Sequence, residues 1–135
     1  MTASGRHKEF AWQLYLMTPD GKDQRRLTDD GNTFGSRFSP DGRRVLYSNG
    51  GEAPASRRGI WVVDLDGTNR RRLFPVANPE TADACWSPDG KRIAIVSYNV
   101  VDEKDGRLVV MDLDGGNRSE FPLEQLVHTD MPDWR

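Results

Sequence analysis

"RFSPDGRRVLYS", residues 37–48, decides the fold. Phe38 precedes a polar tetrapeptide, Ser39-Pro40-Asp41-Gly42, and the β-rich run Val45-Leu46-Tyr47 follows. Proline fixes φ, aspartate bonds its own backbone and glycine supplies φ > 0, so this stretch reverses the chain into a hairpin. "CWSPDGKRIAIVS" at residues 85–97 is the same sentence again. From Phe38 to Trp86 is 48 residues, and a further 48 leads to Trp134 in "MPDWR". A second turn family keeps nearly the same step. "LYLMTPDGK" ends its turn at Gly21, "WVVDLDGTN" at Gly67 and "LVVMDLDGGN" at Gly115. Two independent turn motifs with one shared period mark an internal repeat of a size that belongs to solenoids, propellers or arrays.

Each unit holds four β-like runs. Residues 81–122 give "TADACW", the SPDG turn, "RIAIVSY", a polar loop, "RLVVMDL", a DGGN turn and "RSEFPL". The unit before it gives "TFGSRF", "RVLYS", a loop, "IWVVDL", a DGTN turn and "RRRLF". β-Branched and aromatic residues fill the runs, and Gly, Pro, Asp and Asn fill the gaps. No segment carries a 3.6-residue apolar period. Four antiparallel strands in a repeat of this length are the signature of a propeller blade. An ordinary sandwich gives no reason for a fixed 48-residue step.

The SPDG turn after an aromatic, the Ile/Val-rich strand behind it, and the aliphatic strand ending in "DLDG" or "TPDG" resemble the repeat of TolB-type β-propellers. That resemblance runs from about Trp12 to Trp134 and implies radial blades, six to the ring, around a channel lined by the first strand of each blade. Similar repeats occur in the propellers of prolyl-oligopeptidase-like enzymes, so the repeat alone selects no function. The fold expected is therefore all-β, a single half-propeller over residues 1–135. Its units are 12–28, 32–75 and 80–123, with a last inner strand at 129–134. Three units are too few for a ring, since propellers close with about four to eight blades. The sequence opens on the later strands of a blade and closes on a first strand. A homodimer forming one six-bladed ring is the expectation, with Phe38, Trp86 and Trp134 filling the spaces between blades.

Composition limits the chemistry. The chain has 135 residues, 30% of them charged, a net charge of −2 and 36% hydrophobic residues. One domain is expected, and no nucleic-acid partner, because the clusters Arg25-Arg26 and Arg70-Arg71-Arg72 are short and flank turns. Cys85 is the single cysteine and reads as a buried, inert thiol. No apolar run reaches transmembrane length and residues 1–10 lack the apolar stretch of a signal peptide. The sequence as written reads as cytoplasmic, or periplasmic had a leader been removed.

No catalytic constellation stands out. The histidines are His7 and His128, there is no nucleophile elbow, and no enzyme activity is expected. Asp64, Asp66, Asp112 and Asp114 lack the alternating ligands of a calcium loop and read as turn formers, so no metal or cofactor is expected. The aligned first strands are more telling. Thr33, Thr81 and Thr129 share one position, and Asp83 and Met131 another, with Gly35 in the first unit. Arg37, Cys85 and Asp133 precede the aromatics. If these strands line a channel, Thr33, Arg37, Thr81, Asp83, His128, Thr129 and Asp130 lie at its mouth. Threonine also starts strands and caps loops without any ligand. The function expected is non-catalytic binding of a protein, peptide or small ligand. The alternatives are a structural or engineered half-propeller with no ligand, and an accessory propeller of a hydrolase.

Overall fold

The computed structural model describes residues 12–29, 32–50, 53–77, 80–99, 101 and 106–123. Ten strands run in order: β1 (Tyr15–Leu16), β2 (Arg25–Arg26), β3 (Thr33–Phe38), β4 (Arg44–Asn49), β5 (Gly59–Asp64), β6 (Arg71–Pro75), β7 (Glu80–Trp86), β8 (Arg92–Asn99), β9 (Gly106–Asp112) and β10 (Ser119–Leu123). No helix occurs among the described residues. β3-β4-β5-β6 form one antiparallel meander and β7-β8-β9-β10 a second, while β1 and β2 pair as a short ladder. In chain order, the second and third of these groups have four strands each, and the first shows, among the described residues, two strands of two residues each.

The repeated turns are alike bond for bond. The Gly42 amide donates to the Ser39 carbonyl at 2.8 Å, and Gly90 donates to Ser87 at the same distance. Both glycines sit at φ 68°, a conformation that side chains resist. The Ser39 hydroxyl donates to Asp41 at 2.5 Å and accepts from the Arg44 amide at 3.0 Å. Ser87 repeats this with Asp89 at 2.6 Å and the Arg92 amide at 2.9 Å. These bonds lock the hairpins and so fix which strand residues face which neighbour.

The two complete sheets pack face to face over one core. Leu46, Ile60, Val62 and Phe74 from the second blade meet Ala82, Ala84, Trp86, Ile93, Ile95, Val109 and Met111 from the third. A smaller core joins the first blade to the second through Leu14, Leu27, Val45, Tyr47 and Val63. β4 thus buries alternate residues on opposite sides, as a strand sandwiched between blades must.

Polar bonds stitch the blades together. The Ser48 hydroxyl donates to the Ala82 carbonyl at 2.7 Å, and the Trp86 indole N–H donates to the Arg37 carbonyl at 3.2 Å. Arg71 reaches the Leu113 carbonyl at 2.7 Å, and Arg25 makes the equivalent bond to the Leu65 carbonyl one repeat earlier. Both arginines stand exposed on their strands, and their guanidinium groups clamp each outer strand to the next blade's DLDG turn.

The register aromatics divide. Trp86 is 6% exposed and fills the seam as expected. Phe38 is 48% exposed, which corrects the expectation for that position. Its neighbouring blade offers only β1 and β2, the outer two strands of a unit, among the described residues. Trp134 and the inner strand at 129–134 lie outside the described residues.

Candidate functional site

The expected site residues fall on the first strands of the second and third blades, β3 and β7, which pack against one another. Thr33 opens β3 and is buried. Its hydroxyl lies 3.3 Å from that of Thr28. Thr28 in turn donates to the Gln13 side chain at 2.9 Å and accepts from the Leu14 amide at 2.9 Å. Thr33 is therefore tied into the seam between the first two blades. Thr81 is half-buried at the matching place on β7. His128, Thr129 and Asp130 lie outside the described residues.

Arg37 and Asp83 are brought together. β3 carries a bulge between Phe34 and Arg37, and Gly35 within it has φ 60°. A Cβ at Gly35 would lie 2.8 Å from Asp83 Oδ1, so the glycine makes the notch that admits the carboxylate. Burial pushes the Asp83 carboxyl above the usual 3.8. The Ala84 amide, which donates to Oδ1 at 2.8 Å, and the nearby Arg37 charge oppose that shift. Arg37 Nε is buried and has no hydrogen-bond partner. An unspent donor thus belongs to the arginine whose charge acts on a partly desolvated carboxylate, and each is costly to keep.

Two further groups escaped the sequence reading. Ser48 bonds across the seam beside Gly35, and its hydroxyl oxygen lies 3.7 Å from where the Gly35 Cβ would be. Asn49, at the end of β4, is 2% exposed and neither amide atom has a partner. Nothing in their residue type announces either role. Only the face of the strand reveals it.

The aspartates of the DLDG turns behave as turn formers. Asp66 accepts from the Thr68 amide at 2.9 Å and its hydroxyl at 2.6 Å, and Asp64 accepts from Asn69 at 2.7 Å. Asp20, Asp41, Asp66 and Asp89 are all held below the ordinary carboxylate value, first by the hydroxyl of Thr18, Ser39, Thr68 or Ser87. An open cleft of about 660 Å³ lies between the two turns of the second blade, lined by Asp41, Arg43, Arg44, Asp64, Asn69 and Arg71 among others. No group of three His, Cys, Asp or Glu side chains among the described residues could hold a metal ion.

Asp83 yields a pH prediction. A carboxyl whose folded value is raised binds its proton more tightly in the native state. Its contribution to stability therefore falls as pH rises from about 3.8 through the raised value. The turn aspartates act in the opposite sense, losing stability as pH falls below 3.8. Asp83→Asn should consequently be more stable than the parent in urea at pH 7, and the gap should close towards pH 4. A variant less stable than the parent at pH 7 would show that the charge is stabilising in place.

No family model matches the chain. Over 74 residues it is 32% identical to Tol-Pal system protein TolB 1 of Novosphingobium aromaticivorans, a match covering 55% of this chain and 16% of that protein. Its fold is similar to that of oligogalacturonate lyase in complex with manganese, with a TM-score of 0.57 at 21% identity. That likeness covers 82% of this chain and 30% of the lyase. The chain thus spans less than a third of either protein. The two likenesses agree on a TolB-like propeller architecture.

Proposed function

We propose that this chain is a non-catalytic binding module, and that the inner strands of its blades present a polar surface to a polypeptide segment. The observation that supports this is the Arg37–Asp83 arrangement. Two charged side chains stand on adjacent first strands, half-buried, with no ion pair between them and with Arg37 Nε unpaired. Groups kept unsatisfied at a cost to stability are the mark of a site that a ligand completes. A peptide backbone carries both an acceptor for Arg37 and a donor for Asp83. Thr81 lies on the same strand as Asp83.

A polypeptide partner also agrees with the likeness to a Tol-Pal system protein. The likeness to a lyase favours a second reading, a propeller that serves a catalytic centre. Turnover that survives purification and vanishes in His128→Ala would decide for it. Selection from a displayed library of unstructured peptides tests the first reading. Selected peptides should perturb the NMR signals of Arg37, Thr81 and Asp83. Arg37→Ala and Asp83→Asn should each weaken them by about tenfold or more, as loss of a charged hydrogen bond does. Peptides that footprint on β6 or β10, or that bind both variants unchanged, would overturn it.

A further inference from the structure

Arg37 and Asp83 make unequal demands on a ligand. Asp83 accepts the Ala84 amide at 2.8 Å. A buried carboxyl also has a way out of its charge, because it can take up a proton, and burial pushes Asp83 in that direction. A guanidinium has no such exit. It stays charged at every pH a protein meets and carries only donors. Arg37 Nε is buried and has no partner. The ion pairs among the described residues are made elsewhere, by Lys22, Arg70 and Arg118.

The surroundings fix that donor without satisfying it. The Trp86 indole N–H donates to the Arg37 carbonyl at 3.2 Å, which anchors the residue in the seam. The cross-strand partner of Arg37 on β4 is Leu46, whose side chain offers no acceptor. Asp83 Oδ1 is drawn into the Gly35 notch, 2.8 Å from where a Cβ would stand, and accepts the Ala84 amide there. What the half-buried Arg37 lacks is therefore an acceptor. A peptide carbonyl would meet one N–H and leave the positive charge uncompensated, which is costly away from water. A carboxylate meets the charge as well, and its paired oxygens match the planar fork of a guanidinium.

We propose that the polypeptide segment at this surface makes its contact through a carboxylate, which pairs with the Arg37 guanidinium while a nearby N–H of the same segment donates to Asp83. An aspartate or glutamate side chain supplies that group, and so does a chain end. In either case the backbone N–H of the same residue lies close to the carboxylate, so one residue can serve both Arg37 and Asp83. A basic residue in its place would leave Arg37 without an acceptor and set like charges side by side, which disfavours the charged forms. The inference rests on the peptide-binding reading above and names the ligand group that makes the contact.

Peptides selected from a displayed library with free C-termini test it. Each is resynthesised with its acidic residues changed to the corresponding amides, and separately with its C-terminus amidated. One of the two changes should weaken binding by about tenfold or more, as loss of a charged hydrogen bond does. Which change does so tells a side chain from a chain end. In Arg37→Ala, shown to be folded by its urea melt, the same change should have no effect, because the charge it answers is gone. Arg37→Lys should restore part of the difference, since an ammonium keeps the charge and loses the fork. Peptides that footprint on Arg37 and Asp83 yet bind equally well after either change would overturn the carboxylate contact and leave the binding reading standing. A loss of equal size in Arg37→Ala would overturn it as well. Should no selected peptide reach this surface, the binding reading itself fails, so the two failures are distinguishable.

Discussion

Trp86→Ala should cost about 3–5 kcal/mol of folding stability, as large-to-small changes in a packed core do. The indole is 6% exposed and belongs to one buried cluster with Leu46, Ile60, Val62 and Met111. Its N–H bond to Arg37 would be lost, and so would the Arg44 stack. These contacts belong to two different blades, so the variant weakens the seam itself. Phe38→Ala provides the control, because repeat position is the same and burial is not. It should cost about 1 kcal/mol or less, since about half of the ring is solvated before and after unfolding. Urea melts of the two variants suffice. A Trp86→Ala loss below about 1 kcal/mol would mean that the seam is not a core.

Gly59→Ala should be more damaging still. Gly59 opens β5 at φ 137°. A Cβ there would stand 2.0 Å from the Phe74 carbonyl oxygen and 3.0 Å from its carbon. Both are backbone atoms, so no side-chain rotation relieves the clash. β5 and β6 would have to separate where their register already shifts, between Ile60 and Trp61. Phe74 is fully buried and lies under the Arg107 and Arg118 guanidiniums of the third blade, so the damage spreads into the seam. A loss of about 4 kcal/mol or more, or failure to fold, is the expected outcome. Gly67→Ala is the matched control. Gly67 also has positive φ, 89°, but nothing lies within 4 Å of its Cβ position. It should cost only the backbone strain, about 1–2 kcal/mol. Equal losses at the two glycines would show that conformation, not contact, governs Gly59.

The fold was legible because its punctuation is local. The SPDG and DLDG turns carry their own hydrogen bonds, so β3 to β10 lie within a residue or two of where the motifs put them. The repeat also assigned Trp86 to a seam. It could not assign Phe38, because burial depends on the neighbour and not on the position. The arginine clamps were hidden for a related reason. Arg25 and Arg71 alternate with other polar residues on outer strands, and sequence gives no hint that they reach the next blade's carbonyls.

The candidate site was half legible. The 48-residue step put Asp83 and Gly35 at one position and marked both Arg37 and Asp83 as first-strand residues. Their meeting depends on the bulge at Gly35, which turns β3 and opens room for the Asp83 carboxylate. Bulges leave little trace in composition beyond a glycine. Thr33 and Thr81 share a repeat position yet differ in surroundings. Thr33 is buried against Thr28 in the first seam, whereas Thr81 is only half-buried. Asn49 gave no sign at all, since a strand-end asparagine is ordinary until both its amide atoms are found buried and unpaired.

The account turns on whether the Arg37–Asp83 arrangement on β3 and β7 is a surface that a polypeptide segment completes. NMR titration of a selected peptide into the purified chain and into Arg37→Ala addresses this directly. Saturable binding centred on Arg37, Thr81 and Asp83, weakened about tenfold by Arg37→Ala, is the predicted result. Binding unchanged in a folded Arg37→Ala, or centred on β6 or β10, would contradict it.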